Sequence, residues 1–142
     1  MRMTNNVTLT HIAIAVPKLK DIETKLRALS LKIEKSKEVP SEKVKTAFVP
    51  FEVTKPVYLE FLEPTQSDSP ISKFLEKKPS GGLHHLCFEV QQIVKWQTIL
   101  TKEGFEILPP GIKKGAHGRV LFIHPKSFAG VLIELEEKDH AL

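Results

Sequence analysis

The sequence predicts an α+β fold made of two tandem β-α-β-β-β modules, and three observations predict it. Each half opens on a run that alternates apolar and smaller or polar residues, THIAIAV at 10–16 and HHLCFEV at 84–90. Alternation with period two marks a strand with one buried face. Each run is followed by apolar residues three and four apart, the period of an amphipathic helix. An offset of 74 residues then lays the second half over the first without a gap, carrying His11 onto His85 and Glu60 onto Glu134.

The elements follow in order. In the opening strand Ile12, Ile14 and Val16 form a bulky face, leaving His11, Ala13 and Ala15 on the other. Leu19, Ile22 and Leu26 lie on one side of the first helix, and the offset carries them onto Ile93, Trp96 and Leu100. LSLKI (29–33) then falls on EGFEI (103–107), KTAFVP (45–50) on RVLFIH (119–124) and VYLEF (57–61) on VLIEL (131–135). Between the halves, Asp68 or Ser69 caps a short helix that starts at Pro70 and turns Ile71, Phe74 and Leu75 to one side. The run PSGG (79–82) ends it. The expected organisation is one domain over 1–142, with module one at about 8–64, a linking helix at about 69–78 and module two at about 82–137.

Composition narrows the function classes. The chain has 142 residues, 41% hydrophobic and 27% charged, enough for one core. MRMTNNVTLT lacks the apolar run of a signal peptide, and no segment has the roughly 20 apolar residues of a membrane span. The single cysteine, Cys87, excludes an internal disulfide framework and suits a reducing compartment, so a cytoplasmic location is expected. Cys87 itself reads as an inert strand residue. The net charge of +4 comes from scattered lysines without a basic and aromatic cluster, which argues against nucleic acid and fits an anionic small ligand.

Parity sorts the polar residues. Leu86, Phe88 and Val90, with His84, share a face, and His85, Cys87 and Glu89 take the other. Glu60 separates from Val57, Leu59 and Phe61, as Glu134 does from Val131, Ile133 and Leu135. His11, Glu60, His85 and Glu134 therefore all lie opposite the bulky sets. Imidazoles and carboxylates inside a sheet lose hydration and need compensation. A divalent metal compensates them, and two His nitrogens with two Glu oxygens suit Co²⁺, Ni²⁺, Mn²⁺, Fe²⁺ or Zn²⁺.

At these residues the chain resembles the vicinal oxygen chelate (glyoxalase/bleomycin resistance) superfamily. Within it, DSPISKFLEK, GGLHHLCFEV, IKKGAHGRVLFIHPKS and GVLIELEE are similar to segments of the methylmalonyl-CoA epimerases. The resemblance implies a cupped, incomplete β-barrel around a metal, with His11, Glu60, His85 and Glu134 as ligands and cobalt as the metal. It also implies a homodimer and interconversion of the C2 epimers of methylmalonyl-CoA by proton abstraction, the enolate being stabilised by the metal. Glu134 is the first candidate base. One group of these epimerases carries a Glu at the position aligned with Thr46, which is a poor proton acceptor, so Glu60 is the candidate second base. His117 in GAHG and Lys126 in HPKS are candidate substrate contacts, Lys126 for a CoA phosphate. His124 also matches, without an assigned role. A glyoxalase I type lactoylglutathione lyase uses a similar ligand set, and proteins of this fold also bind small molecules without catalysis. A protein-interaction scaffold has only the generality of the fold behind it.

Overall fold

A computed structural model gives the conformation of residues 7–51 and 56–139. Residues 1–6 of the MRMTNNVTLT segment lie outside the described residues. Within them the order is β1 (Thr8–Ala15), α1 (Leu19–Ala28), β2 (Lys35–Val39), β3 (Val44–Phe51), β4 (Val57–Pro64), α2 (Pro70–Lys77), β5 (Gly82–Glu89), α3 (Ile93–Lys102), β6 (Lys113–Lys114), β7 (Gly118–Ile123) and β8 (Leu132–Lys138). The β-α-β-β-β order thus occurs twice, with α2 between the copies, and the fold is α+β as the sequence predicts. Among the described residues no helix is long and apolar enough to cross a membrane.

The chain divides into two compact units, His11–His84 and a second made of residues 7–10 with the described residues from His85 onward. In the first, the strands are ordered β2-β3-β4-β1, with β1 and β4 parallel and the other pairs antiparallel. In the second, β5-β8-β7-β6 repeats that arrangement. The registers repeat too. His11 stands opposite Tyr58 and His85 opposite Leu132, while Phe48 stands opposite Glu60 and Phe122 opposite Glu134. The offset of 74 read from the sequence therefore holds in the hydrogen-bonded ladders.

The second strands are the exception. In the first unit the Leu31 amide returns to the Leu26 carbonyl and that of Glu34 goes to Phe48, so β2 starts only after LSLKI. Phe105 and Leu108 repeat both bonds. Pro109 and Pro110 follow, and proline has no N–H to give a ladder. Pairing resumes only for the two residues of β6.

Burial follows strand parity. Ile14, Val16, Leu59 and Phe61 pack with Leu19, Ile22 and Leu26 of α1. Leu86, Phe88, Val90, Ile133 and Leu135 pack with Ile93, Trp96 and Leu100 of α3. In the first unit the small residues Ala13 and Ala15 instead admit Ile71 of α2, alongside Val44 and Leu62. Helix α2 starts where expected, and Ser69 rather than Asp68 is its cap, its Oγ accepting from the Ile71 amide at 3.1 Å. Asp68 pairs with Lys43. Gly81 closes the linker at φ +93°, where a Cβ would come 2.4 Å from the Ala15 carbonyl oxygen. Only glycine fits that backbone.

Candidate functional site

In the first unit His11 projects from β1 and Glu60 from β4, and their Nε2 and Oε1 atoms are 3.3 Å apart. Ala13, the Cα partner of Glu60, has almost no side chain, which leaves the carboxylate room to reach the imidazole. In the second unit His85 from β5 meets Glu134 from β8, Nε2 to Oε1, at 3.2 Å. Cys87 takes the place of Ala13 there, opposite Glu134. All four side chains are at most 16% exposed. Each unit thus carries one buried His–Glu pair at the position that parity and the offset predict. Burial withdraws both groups from water, so each pair needs a proton or a cation at its N···O contact. Imidazole nitrogen and carboxylate oxygen are donors that borderline divalent metals accept, so the residues present fit such an ion.

Each pair has an aromatic neighbour. Phe48 lies across from Glu60, and its ring meets that of Tyr58 edge-on at 5.9 Å. Phe122 lies across from Glu134, meets the His85 ring edge-on at 6.3 Å, and carries the Lys113 ammonium 5.3 Å from its centre. Cys87 is fully buried, and its thiol is pushed far above its ordinary range, first by burial and then by the charge of Glu134. It is an inert thiol, as the sequence suggested. Thr46 is buried on β3, and its hydroxyl donates to the Lys37 carbonyl at 3.4 Å.

Of the two adjacent histidines, His84 turns to the linking helix, its ring edge-on to Phe74 at 5.1 Å. His117 is half exposed, and its Nδ1 lies 3.6 Å from the Glu136 carboxylate. His124 is structural: its Nδ1 accepts from the Lys126 amide at 3.0 Å and caps the 3-10 turn Pro125–Ser127. The Lys126 ammonium stands 2.7 Å from Glu106, and that hydrogen bond holds the Glu106 carboxyl below its ordinary value.

Sequence reasoning missed three carboxylates. Glu136 is buried on β8, where the offset places Leu62 in the first unit. Glu63 accepts from the Leu19 amide at 2.7 Å and Glu137 from the Ile93 amide at 3.0 Å, so each caps the helix of its own unit. Lys18 and Gln92, the residues in the cap positions, give no side-chain bond. The coincidence of Glu63 and Glu137 at an offset of 74 was the available signal.

Residues 10–122 match the Glyoxalase/Bleomycin resistance protein/Dioxygenase superfamily. The chain is 42% identical over 132 residues to an ethylmalonyl-CoA/methylmalonyl-CoA epimerase of Cereibacter sphaeroides, covering 91% of this chain and 96% of that protein. It is 40% identical over 131 residues to the human mitochondrial methylmalonyl-CoA epimerase, covering 91% and 73%. Among solved structures, the methylmalonyl-CoA epimerase of Mycobacterium tuberculosis superposes with a TM-score of 0.82 at 26% identity, covering 99% of this chain and 94% of that one. A Streptomyces coelicolor methylmalonyl-CoA epimerase variant in complex with 2-nitronate-propionyl-CoA also reaches 0.82, at 28% identity and 95% and 100% coverage. The duplicated ladders, the two His–Glu pairs and these likenesses lead to one conclusion: the chain belongs to the methylmalonyl-CoA epimerases of the glyoxalase/bleomycin resistance superfamily.

Proposed function

We propose that this protein interconverts the two C2 epimers of methylmalonyl-CoA, and that its two His–Glu pairs are halves of one divalent metal site. The observation that carries the proposal is the repetition of the pair, the same atoms at 3.3 and 3.2 Å, in a chain 42% identical to an epimerase of this substrate class. His11, His85 and Glu134 each offer one ligand atom within 4.8 Å of the others; Glu60, 3.3 Å from His11, is proposed as the fourth ligand. When bound, the metal supplies Lewis acidity that favours the enolate over the thioester.

The residues of the chain handle the proton. Glu134, a largely buried carboxylate, is the base that takes the C2 proton on one side. Glu60 is the acid or base for the other side, because Thr46 has no carboxylate to offer and its hydroxyl is committed to a backbone carbonyl. His11 and His85 present Nε2 beside the two carboxylates, where they would share the ion with them. Burial keeps water from reprotonating the intermediate at random. His117, half exposed, and Lys126 are proposed substrate contacts, and Lys126 reaches a CoA phosphate by exchanging its Glu106 partner. Cobalt as the metal, a homodimer and a cytoplasmic location complete the proposal. They rest on the family resemblance and on a single unpaired cysteine.

The test is C2 deuterium exchange into methylmalonyl-CoA, read by mass spectrometry with Co²⁺ added, beside turnover of the methylglyoxal–glutathione adduct. Exchange without adduct turnover is the expected result. Adduct turnover without exchange assigns the site to lactoylglutathione lyase chemistry instead.

A further inference from the structure

An epimerase of an α-substituted malonyl thioester must seat a hydrogen, an alkyl group, a carboxylate and a thioester around one carbon. The polar pairs account for the charged groups and the proton, and leave the alkyl group without a seat. Resting on the epimerase reading, we propose that Phe48 and Tyr58 form the wall against which the C2 alkyl group packs, and so set the length of alkyl chain accepted.

Both residues lie in the first unit on the face that carries His11 and Glu60. Phe48 is directly across from Glu60, and Tyr58 directly across from His11. Cross-strand neighbours on one face hold their Cβ atoms about 5 Å apart, so both rings flank the His–Glu pair. Both are half-buried and hold one another edge-on at 5.9 Å, which fixes the rings while leaving apolar surface uncovered beside buried polar groups. The second unit carries Phe122 at the equivalent place, but the Lys113 ammonium stands over that ring. An alkyl group laid there would strip water from a cation, whereas beside Phe48 it meets a second aromatic ring. The position of Tyr58 is taken by Leu132 in the second unit, so the two aromatic walls are not equivalent.

One methylene in an apolar seat changes selectivity by roughly 10- to 200-fold, which sets the scale of the test. Binding of methyl-, ethyl- and propylmalonyl-CoA is measured by calorimetry on the full chain with Co²⁺, for the native protein and for Phe48→Ala, Phe48→Leu, Tyr58→Leu and Phe122→Leu. The expected result is that Phe48→Ala raises the affinity ratio of propyl to methyl by about 10-fold or more. Phe48→Leu and Tyr58→Leu move it in the same direction and keep the wall testable if the alanine variant fails to fold. Phe122→Leu leaves the ratio within about twofold. A ratio unmoved by the Phe48 and Tyr58 variants, or moved only by Phe122→Leu, overturns the proposal. Deuterium exchange by the native protein in the same samples separates the two claims. Exchange with an unshifted ratio removes the wall alone, and a shifted ratio without exchange removes the epimerase reading alone.

Discussion

At the scale of single residues, what distinguishes the two His–Glu pairs from ordinary surface ion pairs is their burial. His85 and Glu134 are 8% and 14% exposed, and a carboxylate so placed is costly to keep unless its partner and its ligand justify it. As the proposed base, Glu134 should be needed for proton transfer: Glu134→Gln is expected to lower kcat for C2 exchange by about 10²- to 10⁴-fold, the usual worth of a positioned acid or base. Stopped-exchange mass spectrometry checks it. The lysines near the site separate by their neighbours. Lys126 is held by Glu106, while Lys113 stands over Phe122 on the face of the second pair. Nothing in HPKS announces that Glu106 lies opposite, because the loop that holds it is placed by tertiary packing. Strand parity and the repeat singled out His11, Glu60, His85 and Glu134 one by one, because each is read from its own strand; their pairing came from the strand register.

At the scale of elements, the helices were legible in their cores and illegible at their starts. Leu19, Ile22 and Leu26, and their mates Ile93, Trp96 and Leu100, mark the faces that pack in the two cores. The caps come from Glu63 and Glu137, each 44 residues along the chain, a distance that no local capping signal spans. Glu137 also takes Arg119 at 2.6 Å. Burial pushes its carboxyl up, but the Arg119 hydrogen bond and the Ile93 amide outweigh this and hold it below the ordinary value. A carboxyl lowered in the folded state stabilises the fold fully above its ordinary titration range, and that contribution is lost as pH falls through the folded value. Glu137→Gln should therefore cost about 1 kcal/mol near pH 7, the worth of a helix cap, with the difference from the native protein shrinking in acid. Urea unfolding at pH 7 and pH 3 reads both. Leu121, fully buried between β8 and α3 residues, carries more: Leu121→Ala should cost about 2–5 kcal/mol in the same assay.

At the scale of the whole molecule, the offset of 74 residues ties sequence, register and chemistry together. It carries α1 onto α3, β1 onto β5, and the His11–Glu60 pair onto the His85–Glu134 pair. The departures are equally specific: Leu62 against Glu136, Tyr58 against Leu132, and a five-residue β2 against a two-residue β6. These departures were the least legible part of the fold, since they depend on what each strand meets rather than on its own period. The two pairs are proposed to serve one ion. Metal content per chain, measured by mass spectrometry after Co²⁺ loading and desalting, tests it most directly on the native protein, His11→Ala and His85→Ala. One ion per chain in the native protein, lost in either variant, is the expected result. Two ions per chain, with one retained after each single substitution, would contradict it.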